Sequence, residues 1–387
     1  MTVNTQGAIA RSDVVGSLLR PAYLRETRQG VREGRVSAAD LHAAEDRAVR
    51  EAIALQEAAG LDVITDGEYR RYSWIATIPI RQDSSYRAPL SGYEFLPADP
   101  GWWALWREPD GRRAGLTVTA RPFITAPLRV ERDIVTQEYG FLKAHAHTRT
   151  KYTIPAPSWH RIFWHPAHSR AAYTTPEDFL RAIAEYLRTE VVAKLIALGC
   201  DYIQLDAPNY AQWHVDPENR AAFEADGHDM AAELVADAEI DNTVFAGITD
   251  ITRAIHICRG NGAEGRWFAN GGYEWIAGTV FPRLSNFDRL LLEYDTARAG
   301  DFSPLRQVLP QHTVVLGLLT TKNPAVEEAA AVEARIREAT QYLPLERLAL
   351  SPQCGFASGE ASTNTTPAAQ EAKLQLVAQV ARRVWPR

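Results

Sequence analysis

The residues best suited to chemistry in this chain are His256 and Cys258, two positions apart in the apolar stretch 254–261. On a β-strand, positions i and i+2 project to the same side, so imidazole and thiol face one space. Zinc accepts thiolate, imidazole and carboxylate, usually four at a time in a tetrahedron. Glu293 ends the apolar run 290–292, and Cys354 follows the run 348–351. Brought together, His256, Cys258, Glu293 and Cys354 make a four-ligand zinc site. Ligands scattered this widely do not belong to a zinc finger, whose donors come in local pairs. They suit a fold that delivers side chains from different strands. The third cysteine, Cys200, follows Gly199 at the opposite end of its strand and reads as a small buried hydrophobe.

Those positions need elements to hold them. Short apolar runs at 14–17, 61–65, 151–155, 201–206, 254–258, 290–295, 314–319 and 348–351 read as eight strands. Helical patterns alternate with them. Ser37 and Asp40 start a helix over 38–59 in the manner of a capping box, and Gly60 ends it. Thr175-Pro176 opens another, in which Phe179, Ile183, Leu187, Val191 and Leu195 recur at every fourth position before Gly199. Further helical segments are expected around 216–245, 273–280 and 324–343, with a last one from Thr366-Pro367 to about Trp385.

This alternation predicts an α/β chain folded as a single (β/α)8 TIM barrel domain over residues 1–387. Residues 72–148 break the rhythm with Pro, Gly, Trp and Tyr and with alternation such as Leu116-Thr117-Val118-Thr119. They are predicted as a β-rich insertion between strands two and three. No Gly-x-Gly-x-x-Gly follows the first strand, which counts against a doubly wound dinucleotide-binding sheet. In a barrel, chemistry sits at the C-terminal strand ends. Ser17, Glu68, Asp206, His256, Cys258, Glu293, Asp295, Thr320 and Cys354 all fall there.

Composition narrows the classes further. With 46% hydrophobic residues, 23% charged residues and a net charge of −6, the chain gives no electrostatic reason to bind nucleic acid or an anionic membrane. No apolar run approaches the roughly 20 residues that span a bilayer. The first nine residues lack the basic and apolar regions of a secretory signal. Three cysteines do not make a disulfide framework, so a reducing cytoplasm is the expected compartment.

Gly67-Glu68, Gln204-Leu205-Asp206, His256-Ile257-Cys258, Leu292-Glu293-Tyr294-Asp295 and Pro352-Gln353-Cys354-Gly355 occur in an order that resembles the catalytic domain of cobalamin-independent methionine synthase. The resemblance runs over nearly the whole chain. It implies that His256, Cys258, Glu293 and Cys354 bind a catalytic zinc. It also implies that Asp206 and Glu68 are catalytic and hold the amino group of the acceptor thiol, with Gly16 and Ser17 near its carboxylate. Two departures stand out. Asp206-Ala207-Pro208 replaces the family's acid-Glu-Pro, and residues 317–322 read Gly-Leu-Leu-Thr-Thr-Lys where the family has a proton-transferring His. The second, N-terminal barrel of the full-length synthases has no counterpart in this sequence. A shorter relative, the zinc-dependent epoxyalkane:coenzyme M transferase, shares the His-x-Cys and distant Cys but alkylates a different thiol.

The chemistry that follows is S-alkylation. A free thiol with a pKa of about 8.5 is only a few per cent ionised at neutral pH. Binding its sulfur to zinc deprotonates it and leaves it nucleophilic. The expected function is a zinc-dependent S-alkyltransferase whose partners are a small-molecule thiol and an alkyl donor. Methyl transfer to homocysteine leads, and opening of an epoxide or transfer to another thiol is the alternative. Glu293 is the weak fourth ligand that the thiol displaces. Trp159 and Trp74 would stack on a flat donor, and Arg20, Arg70 or Arg71 would hold its anionic group. A zinc hydrolase is the competing enzyme class, against which two Cys ligands count, and a barrel with a purely structural metal is the non-catalytic reading.

Overall fold

A computed structural model describes residues 9–75, 77–79, 88–98, 104–116, 118–360 and 364–386. Its strands are β1 (Val63–Ile64), β2 (Leu90–Pro97), β3 (Ala120–Val130), β4 (Arg149–Thr150), β5 (Tyr152–Pro155), β6 (Tyr202–Asp206), β7 (Thr252–Ile257), β8 (Arg289–Glu293), β9 (Thr313–Leu319) and β10 (Leu348–Pro352). Six of them form one sheet in the order β10-β9-β8-β7-β6-β5, parallel throughout. Strands β5, β6, β8, β9 and β10 are buried along their whole length, as expected of parallel strands covered on both faces.

The parallel pairing continues past both sides of this sheet. β1 pairs with β4, and Lys151, between β4 and β5, donates its N–H to the Ile64 carbonyl. On the other side, Ser12 bridges to Leu350 of β10, and Asp62 donates to the Ser12 carbonyl. The first strand expected at 14–17 is therefore displaced to the bridge near Ser12. Residues 16–18 turn instead into hydrogen bonds with other loops, Thr65 Oγ1 donating to Gly16, Leu18 donating to Gly67 and Phe356 donating to Ser17.

Two apolar clusters result. The larger packs helices against strands, and the smaller collects Ala10, Val15, Val63, Tyr202, Ala254, Leu291, Val315 and Ala349 from successive strand segments. The helix Ala38–Ala59 has the reciprocal Ser37–Asp40 cap and a left-handed Gly60. The helix starting at Pro176 holds an informative irregularity. Positions four apart drift about 40° per step on an α-helix. A π turn at Leu187–Val192 takes up that drift, and Phe179, Ile183, Leu187, Val191 and Leu195 all stay buried.

Some expectations are corrected. The helix expected over 324–343 is Ala329–Ala339, because Glu327 before it is engaged as an acceptor for Thr320 N–H and Lys373. Helices Ala22–Arg32 and Val135–His145 carried no sequence signal that was read. β2 and β3 form an antiparallel pair, with β3 beginning at Ala120 rather than within 116–119, where Thr117 lies outside the described residues. Among the described residues no helix is long and apolar enough to cross a membrane.

Candidate metal and thiol site

Strand β7 delivers the histidine and cysteine as its alternation requires. Ile255 and Ile257 pack into the larger core, while His256 lies opposite Asp206 of β6 and Leu291 of β8. Cys258 is the first residue beyond the strand, and Cys354 follows β10 by two positions. Ligand atoms of His256, Cys258 and Cys354 all lie within 4.8 Å of one another, and all three residues are buried. The sulfurs are 3.8 Å apart. That is far beyond the roughly 2.05 Å of a disulfide, but two sulfurs about 2.3 Å from one tetrahedral zinc stand about 3.8 Å apart.

The histidine supplies a second test of fit. Its Nδ1 is 3.2 Å from the Leu291 carbonyl, which can only accept, so the proton sits on Nδ1. Nε2 keeps its lone pair and, although buried, has no hydrogen-bond partner. A ring oriented by a carbonyl on one nitrogen with the other left open is how metal-ligating histidines are held. The donor set therefore fits zinc. Cys200 lies at the other end of β6, where burial pushes its thiol up to about 11.

Glu293 stands outside the three-residue cluster. Its Oε2 accepts from the Arg259 N–H at 2.7 Å, and its Oε1 is paired with Arg298. Burial would raise its pKa, but Lys322, Arg298 and Arg259 outweigh burial and hold it at about 2. Lys322 reaches the Gly260 carbonyl, and Asn261 donates to the Gly355 carbonyl, so the loops after β7, β9 and β10 are tied behind the sulfurs. Neither residue was singled out from the sequence, since a lone Lys and Asn in loops give no pattern.

Two acids face the same space. Glu68 has a φ of +59° in a non-glycine residue, a conformation that costs of order 1–3 kcal/mol and marks functional positions. Asp66 holds the turn by accepting the Glu68 N–H. Thr153 donates to Glu68 Oε1 at 2.8 Å, whereas buried Oε2 has no partner. A Cβ on Gly16 would stand 2.4 Å from Glu68 Oε1, so only glycine lets this carboxylate approach the backbone. Gly355 stands in the same relation to Ser17 Oγ. Asp206 Oδ1 accepts from Gln204 at 2.6 Å. Burial, opposed by His256 and reinforced by Glu68, pushes the Asp206 carboxyl up to about 7.

These groups line one cavity of about 230 Å³, together with Trp74, Trp106 and Trp159. Trp106, which the sequence reading missed inside the irregular stretch 72–148, lies on Gly262, where a Cβ would be 2.7 Å from its ring. Arg20, Arg70 and Arg71 do not line the cavity. Arg20 is a clamp, donating to the Ala357, Glu68 and Arg71 carbonyls. Arg70 pairs with Asp46, and Arg71 with Glu138 at 2.9 Å. The expectation that these arginines hold a donor's anionic group is corrected accordingly.

With this geometry in view, similarity to known proteins is informative. The family model described as "Cobalamin-independent synthase, Catalytic domain" matches residues 11–83 and 173–382. The Bacillus subtilis protein YxjH, described as uncharacterized, is 33% identical over 97% of this chain and 94% of its own length. A methionine synthase of Sulfolobus acidocaldarius is 22% identical over 90% of this chain and 86% of its own. Among solved structures, a B12-independent methionine synthase from Shewanella sp. W3-18-1 in complex with selenomethionine superposes with a TM-score of 0.72 at 18% identity, covering 97% and 98% of the two chains. A putative vitamin-B12 independent methionine synthase from Listeria monocytogenes gives 0.70 at 24%, covering 98% and 100%. These two likenesses establish a shared α/β fold.

Proposed function

Because the chain belongs to the family of the cobalamin-independent synthase catalytic domain, we propose that it is a zinc-dependent methyltransferase acting on a small thiol, with homocysteine as the acceptor. One observation carries the reading: the open Nε2 of His256 meets two sulfurs at tetrahedral spacing in the cavity that Glu68 and Asp206 also line.

His256, Cys258 and Cys354 would hold the zinc, with Glu293 as a weak fourth ligand. Glu293 Oε2 accepts the Arg259 N–H beside Cys258, and Arg298 pairs with its Oε1, so the carboxylate is held beside the sulfurs by the protein itself. When bound, zinc supplies a lowered thiol pKa at neutral pH while leaving the sulfur nucleophilic. Everything else falls to the protein. The unpartnered Glu68 Oε2 and the Asp206 carboxylate receive the acceptor's ammonium. Ser17, beside Gly16, turns toward the acceptor's carboxylate. Trp159 and Trp74 wall the donor side, and Gln204 fixes the rotamer of Asp206. A site with two cysteine ligands favours a reactive sulfur over bound water, which counts against hydrolysis.

For the fold as a whole we propose a closed (β/α)8 barrel over residues 1–387, with 72–148 inserted between its second and third strands. Support comes from the backbone ties of residues 11–13 to Leu350 and Asp62, from β4 leading directly into β5, and from the inner layer of small and apolar side chains. The antiparallel β2–β3 pair supports the insertion. Three unpaired cysteines suit a reducing cytoplasm.

The test is calorimetric titration of homocysteine into zinc-loaded and zinc-free protein, followed by a search for methionine with a panel of methyl donors. Zinc dependence of thiol binding and formation of methionine are expected. Zinc that stays closed to every thiol would end the reading.

A further inference from the structure

We infer that Arg298 is a positioning residue: it holds the Glu293 carboxylate back from the zinc, so that the fourth coordination position is kept for the substrate's sulfur. This rests on the zinc and thiol reading above and deepens it. A contrast among the donors of the site is the first argument. His256 Nε2 is buried and has no partner. Both Glu293 oxygens are engaged, Oε2 by the Arg259 N–H at 2.7 Å and Oε1 by the Arg298 guanidinium. Glu293 also stands outside the group of close-lying ligand atoms that His256, Cys258 and Cys354 form. One donor is open to a metal, whereas the other is already satisfied by the protein.

The fixing of Arg298 is the second argument. β8 ends at Glu293, and Arg298 sits in the short turn Ala297–Ala299 that follows. Its carbonyl accepts the Gly271 N–H, its guanidinium lies over the Trp267 ring at 5.0 Å, and it reaches Asp295 at 3.1 Å. These contacts place it without help from Glu293. The pair is little screened, with the Arg298 side chain 12% exposed and Glu293 wholly buried, so it holds more firmly than a surface ion pair. The other cations near the carboxylate are committed elsewhere. Arg259 spends its guanidinium on the Gly271, Glu293 and Ala299 carbonyls, and Lys322 donates to the Gly260 carbonyl. Among the described residues, Arg298 is thus the side chain that competes with a metal for Glu293.

Charge is the third argument. The two positive charges of zinc are cancelled by the thiolates of Cys258 and Cys354. A substrate thiolate then leaves the centre with one negative charge, and a ligating Glu293 would leave it with two. A second uncompensated charge is costly in a buried site. Pairing with Arg298 neutralises the carboxylate before the thiol arrives. On entry the thiol gives its proton to water, its sulfur takes the fourth position, and Glu293 keeps both its protonation state and its partner.

The experiment uses the full chain as wild type, as Arg298→Met, as Arg298→Lys, and as Arg298→Met combined with Glu293→Gln. Zinc affinity is read by competition with a chromophoric chelator, homocysteine affinity by calorimetry on the zinc-loaded protein, and folding by circular dichroism. A hydrogen bond to a charged group changes an equilibrium roughly 10- to 100-fold. Arg298→Met frees the carboxylate, so zinc should be held roughly tenfold more tightly and homocysteine bound roughly tenfold more weakly. Arg298→Lys puts a point charge in place of the planar fork and should move both affinities in the same directions by less. It carries the test where the Met variant does not fold. Adding Glu293→Gln should erase the gain in zinc affinity.

Opposite signs for metal and thiol are what a merely structural arginine does not produce, since loosening the site weakens both together. Zinc affinity that falls or stays unchanged in folded Arg298→Met, or a gain that survives Glu293→Gln, overturns the role of Arg298 and leaves the zinc and thiol reading standing. Tighter zinc with unchanged homocysteine affinity overturns the reservation of the fourth position for sulfur. Wild-type zinc that accepts no thiol overturns the inference together with the proposed function.

Discussion

Two buried polar clusters lie on the same strands, and they differ in how completely they are satisfied. Toward the N-terminal ends, Lys151 donates to Asp13 Oδ1 at 2.8 Å, to Gln204 Oε1 at 2.7 Å and to the Val14 carbonyl, using all three protons. Asp13 accepts in addition from Tyr202 at 2.6 Å and from the Val14 N–H, and Arg289 lies 3.7 Å away. At the C-terminal ends, His256 Nε2 and Glu68 Oε2 are equally buried and have no partner. Burial without a partner costs about 1–3 kcal/mol per group. A fold that pairs Lys151 and Asp13 fully at one end and leaves open acceptor atoms lining a cavity at the other suits the second to a ligand. Gln204 joins the two, accepting from Lys151 and donating to Asp206.

The largest expected effect separates the clusters outright. Cys258→Ser or Cys354→Ser should abolish zinc retention and methyl transfer, while the thermal midpoint of the metal-free protein moves little. Metal analysis, a transfer assay and calorimetry check this. Full activity in a metal-free Cys354→Ser protein would refute the site. The converse change is Lys151→Met, which removes the direct ion pair of Asp13 in the interior and leaves Arg289, 3.7 Å away, as its charged partner. It should destabilise the chain by about 3–5 kcal/mol in denaturant unfolding, with zinc still bound by whatever fraction is folded.

The sharp contrast between the clusters also explains what could be read in the sequence. Strand positions were legible because parallel strands buried on both faces are continuous apolar runs, and seven of the eight expected segments fall on β-strands. His256 and Cys258 were legible because alternation on a strand is rigid. Cys354 was placed by the strand before it. The short segment near Ser12 was misplaced by a few residues because its pairing consists of isolated bridges, which leave no periodicity. Arg20 was misjudged for a different reason. A guanidinium makes the same sequence signal whether it waits for an anion or clamps three carbonyls, and only the surrounding backbone decides. Trp106 was hidden because the stretch around it follows no regular element.

A smaller effect tests the open carboxylate. Glu68→Gln keeps the shape and the Thr153 contact but removes the charge that awaits an ammonium. Charge-assisted bonds contribute about 1.5–3 kcal/mol, so the KM for homocysteine should rise roughly 10- to 100-fold, with a smaller change in kcat and no loss of stability. A rise in KM matched for an acceptor thiol lacking the amino group would remove Glu68 from ammonium binding.

The finest distinction lies in protonation. Burial holds the Asp206 carboxyl at about 7 in the metal-free protein, far above the ordinary carboxylate range. A raised carboxyl pKa means that the proton is lost only as pH rises through 7, so the charged form that attracts an ammonium is gained on the alkaline side. Affinity of the metal-free chain for a primary ammonium such as methionine should therefore fall severalfold between pH 8 and pH 6, with the carboxylate band of Asp206 in isotope-edited infrared spectra fading over the same interval. Zinc held by His256 and the thiolates of Cys258 and Cys354 would change the charges opposite Asp206 and so shift that midpoint. Asp13, at the other end, has Lys151 and Arg289 to overcome its burial and stays ionised across the whole range. Parallel titrations of the two aspartates with and without zinc thus measure the difference between the clusters directly: one midpoint moves and the other does not. A zinc-independent midpoint for Asp206 would mean that the metal binds elsewhere.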